Sequence, residues 1–167
     1  DASDERVAGG DAADKAADFA LYKRANDYLR EIIKSQKDIA LINEANFQLG
    51  EILVNQAATS PEADRPPLYE EALQAFRSVA PQDEILALQE EKLKAFPSRK
   101  REALKANNIP LKNQLDKDNE RELKKLAELR GKPVQTATAL LKMAEIFFQQ
   151  GNLNAARVVL KHVSPFL

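Results

Sequence analysis

The 167-residue chain contains no cysteine and a single histidine, His162. The first absence excludes disulfides, thiolate metal sites and cysteine nucleophiles, while leaving the compartment open. The second removes any multi-histidine metal cluster and makes a Ser-His-Asp set depend on one residue. That residue lies beside the apolar stripe of the last helical segment, where a structural or solvated role is expected. Glycine is scarce, at five residues, and no glycine-rich phosphate loop appears. No apolar run approaches the roughly 18 to 20 residues that span a bilayer, so no transmembrane segment is expected. The opening DASDERVAGGD is acidic and lacks the basic-then-apolar shape of a signal peptide. Twenty-five basic against 26 acidic residues leave a net charge of −1, so no overall field favours nucleic acid or an anionic membrane. The chain starts without methionine, which suits a processed secreted protein or an excised part of a longer one. The expectation leans to a bacterial, extracytoplasmic location, periplasmic or secreted.

What is present is the vocabulary of helices. Ala, Leu, Glu, Lys and Gln fill the chain, and the eight prolines fall where helices can begin or end. Apolar residues at a period of 3.6 predict helices over residues 14–34, 38–57, 68–79, 83–95, 98–107, 111–130, 135–150 and 152–163. No stretch alternates as a strand would. Pro67 suits a first helical turn, Gly131 and Pro133 separate two helices, and Gly151 makes a tight turn between the last two. Residues 1–12, with Gly9 and Gly10, read as a tail.

A pattern is written twice. ANFQLGEILVNQ at 45–56 matches ALLKMAEIFFQQ at 139–150, pairing Ala45 with Ala139, Leu49 with Met143, Gly50 with Ala144, Glu51 with Glu145 and Ile52 with Ile146. The following helices match as Tyr69 with Leu153, Ala72 with Ala156, Phe76 with Leu160, Val79 with Val163 and Pro81 with Pro165. A loop, ATSPEADRPP, separates the helices of the first pair and is replaced by the turn at Gly151 in the last. Tyr22, Ala25, Leu29 and Ile32 repeat the second-helix spacing once more, as a half-unit.

These residues resemble the tetratricopeptide repeat family. Leu140, Met143, Ala144 and Phe147, then Gly151, Ala156 and Leu160, follow its spacing; so do Asn46, Leu49, Gly50, Leu53, Tyr69, Ala72 and Phe76 once the loop is removed. Asn46 departs from the family's preferred tryptophan. The resemblance implies an all-α, right-handed helical repeat with a half-unit at 13–36 and full units at 38–81 and 134–167. It also implies a concave surface lined by the first helices, with Glu44, Phe47, Glu51, Val54 and Asn55 from one unit and Thr138, Leu141, Glu145, Phe148 and Gln149 from the other. Phe47 and Phe148 are then candidate anchors for a peptide or protein partner, unless they pack against neighbouring helices instead. Glu51 and Glu145 put acid where the family's carboxylate clamp needs donors, so an apolar or mildly basic peptide is expected.

Between the two full units lies a segment of different character. Residues 83–132 carry 13 basic and ten acidic side chains, against 12 and 16 in the remainder. They read as an inserted antiparallel helical hairpin joined at NNIP, with Leu104, Leu111, Leu115, Leu123, Leu126 and Leu129 as an apolar, coiled-coil-like seam. Self-assembly through this hairpin is the alternative function. Catalytic chemistry finds little support. DKDNE at 116–120 opens like a calcium loop, but Arg121 stands where that loop needs glycine and Ala127 where it needs glutamate. Glu70/Glu71 and Glu90/Glu91 are adjacent, so on helices they point about 100° apart. The cluster Arg99, Lys100 and Arg101 lacks interleaved aromatics and reads as a solvated face. The expectation is a non-catalytic interaction scaffold with no metal or other cofactor.

Overall fold

A computed structural model describes the backbone of residues 2–131 and 135–164, and the side chains of residues 19–131 and 135–164. Among them are eight α-helices and no strand: α1 (Ala2–Ser35), α2 (Ile39–Thr59), α3 (Arg65–Arg77), α4 (Gln82–Lys94), α5 (Phe96–Lys105), α6 (Ile109–Gly131), α7 (Gln135–Gln149) and α8 (Leu153–Val163). The protein is all-α. Pro133 and Pro165, assigned to helix boundaries above, lie outside the described residues. The stretch read as a tail differs from that reading, because α1 is helical from Ala2. Six alanines in its first 17 residues favour the helix, and a glycine in a helix interior costs only about 1 kcal/mol.

The chain divides into two compact units, residues 1–79 with 136–167, and residues 80–135. In the first, α2 begins at Asp38, whose carboxylate accepts from the Ala40 N–H at 3.0 Å. It ends where the hydroxyls of Thr59 and Ser60 both donate to the Gln56 carbonyl. Arg65 Nε then donates to the Ser60 carbonyl across a short 3₁₀ turn at Glu62–Asp64, closing the loop, and α3 starts with prolines in its first turn. The core of this unit gathers Leu29 from α1, Ala45, Leu49, Leu53 and Ala57 from α2, Tyr69, Ala72, Leu73 and Phe76 from α3, and Ala139, Met143 and Ile146 from α7. Gly50 lets α2 and α3 approach closely: a methyl group there would come within 2.6 Å of the Phe76 ring. One polar pair crosses this core, with Asn26 Nδ2 donating to Gln56 Oε1 at 3.0 Å.

Between α7 and α8 the Asn152 N–H donates to the Phe147 carbonyl and the Gly151 N–H to the Phe148 carbonyl, while Asn152 Oδ1 caps α8 at the Ala155 N–H. This double closure requires Gly151 at φ 72°. Gly151→Ala is expected to lower the stability of this unit by about 1–2 kcal/mol, because a Cβ is disfavoured in the left-handed region. Urea denaturation followed by tyrosine fluorescence checks it.

In the second unit, α4 and α6 run antiparallel, in a register fixed by glutamine. Gln82 Nε2 donates to the Leu129 carbonyl, and buried Gln89 donates to the carbonyl and carboxylate of Glu122, with Ile85 and Leu126 buried at the matching position between them. The seam expected from leucines alone is therefore corrected. Leu115 and Leu126 are buried, but Leu104, Leu111 and Leu123 are exposed. The packed residues at the other end are Phe96, Ala103 and Leu115, joined by Leu93. Leucine count misleads here because at about 100° per residue Leu115 and Leu126, eleven apart, point within about 20° of each other on α6, whereas Leu123 is turned about 80° from Leu115. The connection between α5 and α6 is a tight turn with Asn107 at φ 51°, and Asn108 Oδ1 accepting from the Leu111 N–H.

Asp116 ties α5 to α6. Its carboxylate meets Lys100 at 2.7 Å and Lys112 at 2.5 Å, and these bonds, Lys100 first, hold its pKa below the ordinary 3.8. A carboxylate with a depressed folded pKa contributes stability that is complete above its unfolded pKa and is lost as pH falls through the folded value. The contribution of Asp116 is thus expected to be intact at neutral pH and lost only on acidification below about 4. Carboxyl NMR titration should show this residue titrating below the ordinary aspartate value, and the displacement should vanish in Lys100→Met/Lys112→Met.

Candidate functional site

The inward face of α7 is set by Ala139, Met143 and Ile146, at steps of four and three, so the remaining apolar residues of the helix cannot all be covered. Leu141, Glu145, Phe148 and Gln149 are exposed, and Phe148 is 67% accessible. With Ala144 they meet Ala156 and Leu160 of α8, forming a groove of about 290 Å³. Lys142 pairs with Glu145 at 3.2 Å at its rim. On α8, Leu153 and Leu160, seven apart on one face, are 61% and 48% exposed. The result is one apolar surface spread over both helices of the last pair.

The candidates on α2 behave differently. Phe47 is half-buried, standing edge-on to Phe76 with ring centroids 5.9 Å apart, and Val54 is half-buried against the same core. Glu51 is half-buried and Asn55 is exposed. Phe47 is therefore committed to packing within the unit and is not an open anchor matching Phe148. The repeat positions make the contrast plain. Phe76 and Tyr69 are 2% and 9% exposed, whereas their counterparts Leu160 and Leu153 are exposed.

A second concavity, of about 650 Å³, is lined by Val54 and Ala58 of α2, Glu62, Arg65, Pro66 and Tyr69 of the following loop and α3, and Gln149 and Gln150 at the end of α7. Sequence reasoning missed it. Its signal was the ten-residue loop that the last pair lacks, since that loop supplies one wall. Leu160 was missed as well, and its signal was its match to a buried phenylalanine.

The residues weighed for chemistry are dispersed. His162 is exposed in the last turn of α8. DKDNE lies inside α6, where Asp116 is held by two lysines and Asp118 by Arg121 at 3.1 Å and Gln114, so it forms helix surface and no loop. Glu71 pairs with Arg30, Glu70 with Arg77, Glu90 with Arg130 and Glu91 with Lys94. Lys100 of the basic cluster is spent on Asp116. Among the described residues no group of histidine, cysteine or carboxylate side chains could hold a metal ion, and no helix is long and apolar enough to cross a membrane. Comparison with family models, with curated proteins and with solved structures finds no match to this chain.

Proposed function

We propose that this protein is a non-catalytic interaction scaffold, a tetratricopeptide-like helical repeat that binds a peptide or protein partner through α7 and α8. The observation that carries the reading is Phe148, two-thirds exposed in a groove with Leu141 and Leu160. Large apolar side chains gathered on one surface are unfavourable in water, and an aromatic anchor seated in a partner can supply much of an interface's affinity. Fully covering a leucine or phenylalanine contributes about 1.5–3 kcal/mol each before the entropic cost of association. Glu145 at the rim favours an apolar or mildly basic partner over an acidic one.

Affinity capture from native-source lysate tests this. Phe148→Ala/Leu160→Ala, with helicity verified by circular dichroism, should lose the captured partner. Capture that is unchanged in this variant removes the α7–α8 surface from the account.

A second reading, self-assembly through the charged hairpin, is favoured by one feature: Leu104, Ile109 and Leu111 are exposed beside the α5–α6 turn. Light scattering on Leu104→Lys/Leu111→Lys separates the readings, since an oligomer lost in this variant belongs to the hairpin.

A further inference from the structure

The chain contains both a covered and an open copy of the same surface. In the first pair Gly50, Tyr69, Ala72 and Phe76 are buried, and Phe47 and Val54 pack on the cluster that also holds Ala139, Met143 and Ile146 of α7. In the last pair the matching Leu141, Phe148, Leu153 and Leu160 are exposed, while the small Ala144 and Ala156 that match Gly50 and Ala72 are buried. The C-terminal ends of α2 and α7 line one cleft, beside Tyr69 of α3. Besides α1, the element packed into the first copy's core is thus α7, a later helix of the chain with alanine, methionine and isoleucine at steps of four and three on its inner face.

We infer that the α7–α8 face is the seat of a further helix of the α7 kind: the leading helix of a helical pair supplied from outside these 167 residues, carrying a small residue and then long apolar residues four and seven positions on. This rests on the reading of α7 and α8 as the binding surface and names what that surface takes. A folded second copy does not offer such a helix. Both helices with this pattern, α2 through Ala45, Leu49 and Ile52 and α7 through Ala139, Met143 and Ile146, already turn that face into their own core. Where the first pair buries Leu73, the last pair exposes Arg157, so a charged edge borders the apolar face there.

The probe is a fluorescein-labelled peptide of residues 135–150, titrated with the full chain and read by anisotropy. A peptide this short is marginally helical in water, so affinities are compared between variants rather than taken alone. Saturable binding is expected, weakened about ten-fold or more by Leu160→Glu or Phe148→Glu in the protein and equally by Met143→Glu in the peptide, since each buries a charge without a partner. Both protein positions are exposed, so the variants should keep wild-type helicity. Absence of saturable binding overturns the inference. So does binding that ignores Leu160→Glu, which would mean that the peptide displaces the resident α7 from α2 and α3. A dimer without peptide that Leu160→Glu dissolves also overturns it, because the occupant is then a second copy. Loss of lysate capture in Phe148→Ala/Leu160→Ala alongside a failed peptide titration leaves the interaction surface standing and removes only the α7-like occupant; failure of both removes both.

Discussion

Phe76→Ala should destabilise the first unit by about 3–5 kcal/mol, the range for deleting a fully buried phenylalanine ring. That is a large share of the roughly 5–15 kcal/mol that holds a typical domain together. Phe76 is 2% exposed, closes on Gly50 and carries the edge-on ring of Phe47, so its removal leaves a cavity bounded by α2 and α3. The matching change in the last pair, Leu160→Ala, should cost about 0.5 kcal/mol or less, as surface substitutions do. The three tyrosines, Tyr22, Tyr28 and Tyr69, all lie in the first unit, and there is no tryptophan. Tyrosine fluorescence in a urea titration therefore reports on that unit, while circular dichroism follows the helices of both. Equal shifts for the two variants would contradict the covered-and-open distinction on which the functional reading stands.

The helices were legible because their signals are local. Scarce glycine, proline at the boundaries and a 3.6-residue apolar period need no knowledge of neighbours, and Gly151 announces its turn because few other residues adopt φ 72° without strain. The start of α1 was not legible, because Gly9 and Gly10 in a short acidic opening weigh as breakers although alanine surrounds them. The α4–α6 packing was hidden by chemistry: Gln82 and Gln89 look like surface residues, yet seven residues apart they reach two carbonyls seven apart on α6. Of the candidate site, the α7 residues came only from the tetratricopeptide resemblance; Leu141, Glu145, Phe148 and Gln149 are exposed. Whether Phe47 packs or opens to a partner was not legible, because its exposure is decided by what packs against α2, and nothing in its own helix carries that information.

Gly50→Ala should cost about 1–3 kcal/mol despite the better helix propensity of alanine, because the added methyl group would lie 2.6 to 2.8 Å from three atoms of the Phe76 ring. The other copy of the repeat shows the compensated form. Alanine stands at 144 and the smaller leucine at 160, so the pair has changed together within one molecule. Gly50→Ala/Phe76→Leu should therefore be more stable than the sum of its single variants by about 1–2 kcal/mol, a coupling readable in a double-mutant cycle. Strict additivity would mean that the two sites do not share the space between α2 and α3.

The most direct test of the interaction surface is site-specific photo-crosslinking in native-source lysate, with the reactive group placed in turn at Phe148 on α7, Phe47 on α2 and Leu111 beside the hairpin turn. The account predicts a discrete protein adduct from position 148, none from the packed position 47, and loss of the adduct when Leu160→Glu is combined with the probe. An adduct confined to position 111, or one at 148 that persists in Leu160→Glu, would contradict it.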